Sequence, residues 1–283
     1  MNIAVLGSTG MAGHVVARYL EERGHRVSRT SRSEKDTHTS AAIDVTDFSA
    51  LGDWLTQAQA DVVVNCVGLL QHACEEHPDR AVLVNSYLPH WLEQWARNGA
   101  KVIHLSTDCV FSGRRGGYRE DDTPDGETMY DRSKSLGELR NGKDLTLRMS
   151  ILGPDIDPKG TGLFNWFMAQ SGTIQGYSKA IWNGVTTIEL ARAIAAVIEQ
   201  NLTGLYHLVT PSPIDKCSLL ELIQEVFDCK ELSIERVDGP LLNKSLINTR
   251  DDFDFEVRDY LHQIADMRAW IDGHKSLYPH YFR

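Results

Sequence analysis

Tyr130 and Lys134 lie four residues apart in Tyr130-Asp131-Arg132-Ser133-Lys134. On a helix that spacing puts both side chains on one face, where the ammonium can favour the ionised phenol. Free tyrosine has a pKa of about 10, so bringing it to about 7 takes roughly 4 kcal/mol of differential stabilisation. Lys134 and the positive charge of an oxidised nicotinamide would supply it. Tyr130 would then give a proton to a carbonyl under reduction, or take one in the reverse direction. Thr107, in Ser106-Thr107-Asp108, would hydrogen-bond the carbonyl oxygen and orient it. A two-residue pattern recurs by chance. The inference rests on order: the turn Gly7-Ser8-Thr9-Gly10-Met11-Ala12-Gly13 first, Thr107 closing a later strand, and the Tyr/Lys pair after it.

The glycine turn directly follows an apolar strand and opens a helix. Gly7 permits the tight turn, Gly10 lets the backbone approach a pyrophosphate, and Gly13 allows close helix packing. The spacing is GxxGxxG, and its position makes it a dinucleotide site. The second strand closes on Ser28-Arg29-Thr30-Ser31-Arg32 instead of an acid. That ending suits a 2′-phosphate and favours NADP(H), with Arg32 the main contact and NAD(H) the alternative. The competing reading leaves Arg29 and Arg32 as solvated loop residues. Asp44, before Val45-Thr46, either accepts from an adenine amino group or serves as a turn or cap residue. Pro89 has no N–H, so the Asn85 carbonyl loses its helical donor. Either a water linking Lys134 to solvent satisfies that oxygen, or the helix simply kinks.

These groups need a scaffold. Strands are predicted at Asn2 to Leu6, Arg26 to Thr30, Asp61 to Asn65, Lys101 to Ser106 and Asp144 to Ser150, with Gly204 to Val209 rejoining them. Between them helices run from Met11 to Arg23, from Asp47, from about Asp79 to Asn98 and around Tyr130 to Leu139. The alternation indicates an α/β fold with a doubly wound parallel sheet of the Rossmann type. After Ser150 the loop signals cluster, helices follow at Leu163 to Gln170 and Thr186 to Gln200, and helices and loops predominate beyond Ser218. Residues 1–150 plus about 185–210 are expected to form the dinucleotide-binding domain. About 151–184 plus 211–283 form a smaller, partly discontinuous substrate domain.

At 283 residues, 42% hydrophobic and 24% charged, the chain has an ordinary globular composition. A formal net charge of -10 without a basic patch argues against nucleic acid and anionic membrane as partners. The apolar runs are too short to span a bilayer, and the start reads as a strand, not a signal peptide, which points to the cytoplasm. Five cysteines without a metal-binding pair read as reduced thiols. Asp251, Asp252 and Asp254 form an acidic loop without a matching ligand set, so no metal is expected.

In order along the chain stand Gly7-x-x-Gly10-x-x-Gly13, Asn65-Cys66-Val67-Gly68, Val84-Asn85, Ser106-Thr107-Asp108-Cys109-Val110-Phe111 and Tyr130-x-x-x-Lys134-x-x-Gly137-Glu138. Over almost its whole length the chain resembles the extended short-chain dehydrogenase/reductase family, within it the dTDP-4-dehydrorhamnose reductases. The resemblance implies NADP(H)-dependent reduction of the 4-keto group of a nucleotide-linked deoxysugar for glycan precursor synthesis. It makes Thr107, Tyr130 and Lys134 catalytic. It brings Gly7, Thr9, Gly10, Met11, Arg32, Asp44, Val45, Cys66, Gly68, Asn85 and Ser150, with Tyr130 and Lys134, to the cofactor. Oligomeric state stays open, a homodimer being common among such enzymes. The reductases often place an aromatic residue after the fifth strand; this chain has Arg148-Met149-Ser150-Ile151-Leu152-Gly153-Pro154. Trp166, Trp182 and Asn183 are candidate replacements against sugar or base, the alternative for tryptophan being core packing. Cys109 aligns with an acid/base cysteine of GDP-fucose synthases. If the strand continued past Thr107 its thiol would face the site mouth, giving an epimerase or epimerase/reductase. The partner histidine of those enzymes has no match in Lys159-Gly160-Thr161-Gly162, and a lone cysteine often only packs. A third reading is a non-catalytic cofactor-binding regulatory subunit resembling that of methionine adenosyltransferase.

Overall fold

A computed structural model describes residues 1–32 and 40–282, apart from the side chains of residues 40 and 98. Its central sheet is built from β1 (Asn2–Leu6), β2 (Arg26–Ser31), β3 (Ser40–Ala42), β4 (Val62–Asn65), β5 (Lys101–Leu105), β6 (Leu145–Arg148) and β7 (Gly204–His207). Among the described residues these seven strands run parallel in the order β7-β6-β5-β4-β1-β2-β3. Their sequences are apolar runs because both faces are covered. Successive side chains point to opposite faces. Ile3, Val5, Val62, Val64, Ile103 and Leu105 therefore join one core, while Ala4, Leu6, Val63 and Val102 join the other.

The principal helices are α1 (Met11–Glu22), α2 (Phe48–Gln57), α3 (Leu88–Trp95), α4 (Met129–Leu136), α5 (Leu163–Met168), α6 (Thr187–Gln200), α7 (Lys216–Phe227) and α8 (Tyr260–Gly273). Val15, Val16 and Leu20 of α1 pack with Ile194 and Val197 of α6 and Ile264 of α8 on the first face. Leu51 and Leu55 of α2 pack with Leu88 and Leu92 of α3 on the second. β1 has β2 on one side and β4 on the other, so strand order reverses there and a crevice opens beyond the strand C-termini.

Three elements differ from the sequence expectation. The helix expected from Asp79 to Asn98 is helical throughout, but Val82–Tyr87 widens to a π-helix in which the Leu88 N–H bonds the Leu83 carbonyl. Pro89 cannot bond the Asn85 carbonyl, and the wider turn accommodates that missing donor. Second, the strand expected to reach Ser150 leaves the sheet after Arg148; Ile151–Leu152 instead pairs with Val185–Thr186. Third, the region beyond Ser218 also contains the strand Leu232–Val237, parallel to Gly172–Tyr177. No helix among the described residues is long and apolar enough to cross a membrane.

Candidate active site

The crevice has two walls. The first is the glycine turn. Gly7 has φ +74°, and a Cβ on it would meet Val67. A Cβ on Gly13 would sit 2.1 Å from the Gly7 carbonyl oxygen, so helix and strand touch through this residue. The Ser8 N–H and hydroxyl both donate to Thr30 O at 3.0 Å, tying the turn to the end of β2. Gly10 is different. It is exposed, and the protein atom nearest a Cβ there is Gly7 O at 3.4 Å. The protein itself therefore does not demand glycine at position 10; it leaves a side-chain-sized cradle at the N-terminus of α1, where N–H groups and the helix dipole favour an anion.

Thr9 and Met11 are half-buried beside this cradle, and a Cβ on Gly162 would lie 2.9 Å from Met11 Sδ, so the 160–162 loop approaches the turn. Arg32 is exposed just after β2. Two hydrogen bonds from Thr46 hold the Asp44 carboxyl below its ordinary range, aided by the charges of Arg80 and Arg32. Asp44 Oδ1 thus closes the turn onto Thr46, with Arg32 in the field of the carboxylate. Val45 is core. Arg29 is not a solvated loop residue: it is buried in β2 and holds Glu21 of α1 bidentately.

The second wall carries the reactive residues. Thr107 follows β5 and caps the 3-10 turn Asp108–Val110; its Oγ1 accepts from Cys109 N and donates to Asp108 Oδ1, each at 3.1 Å. Tyr130 and Lys134 stand on α4, whose start is fixed by a capping box between Thr128 and Asp131. Lys134 is buried, its Nζ donating to Leu105 O at 2.6 Å. His104 Nε2 lies 3.4 Å away. The Val67 N–H donates to Asn65 Oδ1, so Asn65 Nδ2 donates to His104 Nδ1 and the ring proton is assigned to Nε2. His104 therefore offers the ammonium no lone pair. Burial brings Lys134 down to about 8, with the Glu138 carboxylate acting against that fall.

The phenol departs from expectation. Burial, then the neighbouring Cys109, push Tyr130 above its ordinary value, while hydrogen bonding with Thr107 pulls the other way. Without the nicotinamide charge, the dominant effect is the cost of a buried phenolate. Tyr130 is thereby kept protonated, the state that a proton donor needs.

The remaining candidates separate clearly. Cys66 is half-buried beside Gly7 and pushed up to about 12 by burial. Gly68 is exposed above the Asn85 amide, which bridges to Leu69 and Ser133. A Cβ on Gly137 would come within 2.0 Å of the Asn85 carbonyl oxygen, so α4 ends in close contact with the widened turn. Ser150 has its carbonyl occupied by Val185 N. Asn183 is buried and uses its amide on Leu246 and Thr210, joining chain segments and not reaching toward a ligand. Trp182 is core, packed on Tyr260 and lying under Lys216 Nζ at 5.0 Å. Trp166 alone of these three is exposed, lining a surface cavity of about 510 Å³ with Lys159, Thr161 and Gln170. Cys109 does not continue a strand, because the chain turns at Asp108. Burial and the Asp108 carboxylate push its thiol up to about 12, which leaves little thiolate at neutral pH.

Sequence reasoning missed the layer behind the second wall. Glu138 Oε1 accepts from Ser106 Oγ and from Arg148 Nε at 2.8 Å, and Oε2 accepts from Arg148 Nη2 at 2.6 Å. Arg148 is fully buried and donates to His207 Nε2 at 2.9 Å; the His207 backbone N–H donates to Glu120 Oε1. The signal was present: Glu138 follows Lys134 by four residues, although the α-helix ends at Leu136. Lys216 was also missed. Burial lowers it to about 8, with Asp108 and Cys109 opposing, and its Nζ stands over the Trp182 ring.

Comparison with known proteins adds an independent line. A family model described as "RmlD substrate binding domain" matches residues 1–241. The probable low-salt glycan biosynthesis reductase Agl14 of Haloferax volcanii is 29% identical over 236 residues, covering 78% of this chain and 79% of that protein. Methionine adenosyltransferase 2 subunit beta of Bos taurus is 27% identical over 139 residues, 48% of this chain and 41% of the relative. Among solved structures, dTDP-4-dehydrorhamnose reductase from Bacillus anthracis, in complex with NADP, superposes with TM-score 0.80. It is 18% identical and covers 95% of this chain and 98% of its own.

Proposed function

Since the chain belongs to the RmlD substrate binding domain family, we propose that it is an NADP(H)-dependent oxidoreductase that reduces the 4-keto group of a nucleotide-activated deoxysugar for glycan synthesis. The observation carrying this reading is the meeting of Thr107, Tyr130 and buried Lys134 at one end of β5, across the crevice from a helix N-terminus whose Gly10 leaves an open cradle. That cradle fits a dinucleotide pyrophosphate; bound there, the cofactor supplies hydride. Arg32 at the end of β2 is the contact for a 2′-phosphate. Thr107 positions the substrate carbonyl, Tyr130 delivers the proton to its oxygen, and Lys134, held by Leu105 O, provides positive charge as the phenolate forms. Residues 151–184 and 211–283 form the substrate side, with Lys216 and Trp166 its candidate contacts.

Tyr130→Phe tests the assignment. NADPH oxidation with 4-keto nucleotide sugars should fall by roughly 10²–10⁴ while NADPH affinity stays within about twofold; undiminished turnover rejects it. The similarity to a regulatory subunit motivates a second reading, cofactor binding without turnover. Against it stands the retention of all three reactive side chains. Stoichiometric co-purification of a partner, with no NADPH oxidation on any 4-keto sugar, would select it.

A further inference from the structure

Residues 242–283 lie outside the family match, yet they reach the glycine turn through one buried chain of hydrogen bonds. Trp270 Nε1 lies 3.0 Å from the Tyr278 hydroxyl, Tyr278 OH lies 2.7 Å from His14 Nε2, and His14 Nδ1 lies 2.9 Å from Gly10 O. A backbone carbonyl can only accept, so His14 Nδ1 must donate to Gly10 O; Nε2 is then the ring's acceptor, and Tyr278 gives its proton there while accepting from Trp270, whose indole nitrogen can only donate. The directions follow from the two ends of the chain, a carbonyl that can only accept and an indole that can only donate. Burial agrees: Tyr278 is fully buried, and burial lowers His14 to about 4, keeping the ring neutral.

Gly10 O also accepts the His14 backbone N–H at 3.1 Å, so two donors hold this carbonyl along α1. In a trans peptide the next N–H points the opposite way. The Met11 N–H is therefore aimed out of the helix end, into the cradle. A second tail residue braces the facing loop: Tyr281 OH accepts from Asp155 N and donates to Asn165 Oδ1, both at 2.9 Å, and Asn165 Nδ2 donates to Gly160 O at 2.7 Å.

We infer that the C-terminal segment is a latch on the cofactor turn, with Trp270 and Tyr278 as positioning residues that hold the His14 ring against Gly10 O and, through Gly10, the donors offered to the dinucleotide. The inference rests on the NADP(H) reading given above, and its experiment separates the two. The full-length protein and its Tyr278→Phe and Trp270→Phe variants are compared by NADPH titration, by ¹⁵N NMR of the histidine rings and by thermal unfolding. Wild type should bind NADPH with His14 protonated at Nδ1. Tyr278→Phe should weaken NADPH binding roughly tenfold, about the worth of one buried hydrogen bond, raising KM for NADPH with kcat unchanged. Trp270→Phe keeps the Tyr278 to His14 contact but frees the hydroxyl to turn; it should cost roughly two- to threefold, and it serves if Tyr278→Phe does not fold. Folded variants with wild-type NADPH affinity, or a wild-type His14 protonated at Nε2, overturn the latch. If wild type binds no NADPH, the cofactor reading fails first and the latch with it.

Discussion

The two walls of the crevice are held by opposite kinds of chemistry. Behind Thr107 and Lys134 lies a buried ionic network, Glu138 with Arg148, extended by His207 and Glu120. Behind the glycine turn lies a chain of neutral groups, Trp270, Tyr278 and His14, ending on a backbone carbonyl. The contrast follows from what each wall must present. An ammonium buried at Lys134 is costly unless counter-charge is nearby, and Glu138 is the first charge opposing its loss of a proton. The turn needs only oriented N–H groups, because the ligand brings the charge.

The largest break should come from unpairing the ionic wall. Arg148→Met leaves Glu138 buried without its main partner, and urea unfolding should show a loss of about 3–5 kcal/mol. Adding Glu138→Gln to that variant should restore most of it; a single variant as stable as wild type would mean the network is not holding this wall.

The neutral wall can be split by two glycines. Gly13→Ala pushes a Cβ to 2.1 Å from Gly7 O, so the backbone must shift, at a cost of roughly 1–3 kcal/mol. Gly10, at φ -81° and ψ 166° with its cradle open, accepts alanine. Gly10→Ala should unfold within about 0.5 kcal/mol of wild type yet lose NADPH binding by fluorescence titration.

A subtler effect sharpens the link between the network and catalysis. Lys134 sits at about 8; it is charged below that pH and neutral above. Turnover that depends on its ammonium should decline as pH rises through about 8. Glu138→Gln removes the carboxylate that favours the charged form, so the alkaline limb of the pH–rate profile should move to lower pH. A stationary limb would disconnect Glu138 from Lys134. The smallest effect is expected at Cys109, whose thiol is pushed up to about 12: Cys109→Ser should change turnover less than about twofold. Loss of solvent-deuterium exchange at the sugar ring in that variant would instead revive the epimerase.

Much of this was legible in the order of residues. The parallel sheet could be read because buried strands such as Val62-Val63-Val64 carry no polar face, and the glycine turn because Gly7 and Gly13 answer local steric needs. For Trp182 and Asn183 the sequence left substrate contact and core packing both open, because burial is set by segments distant in sequence: Tyr260 packs on the first and Leu246 takes up the second. The place of Arg29 was hidden for the same reason, because its partner Glu21 stands on α1.

The sequence by itself determined the periodic elements, the strained turn and the identities of the reactive groups, all of which depend on near neighbours along the chain. Only the tertiary structure decided the charge state those groups keep. Desolvation and opposing charges depend on who else is packed nearby, and His104 and Tyr278 reach Lys134 and His14 through folding, not through spacing that a one-dimensional pattern can display.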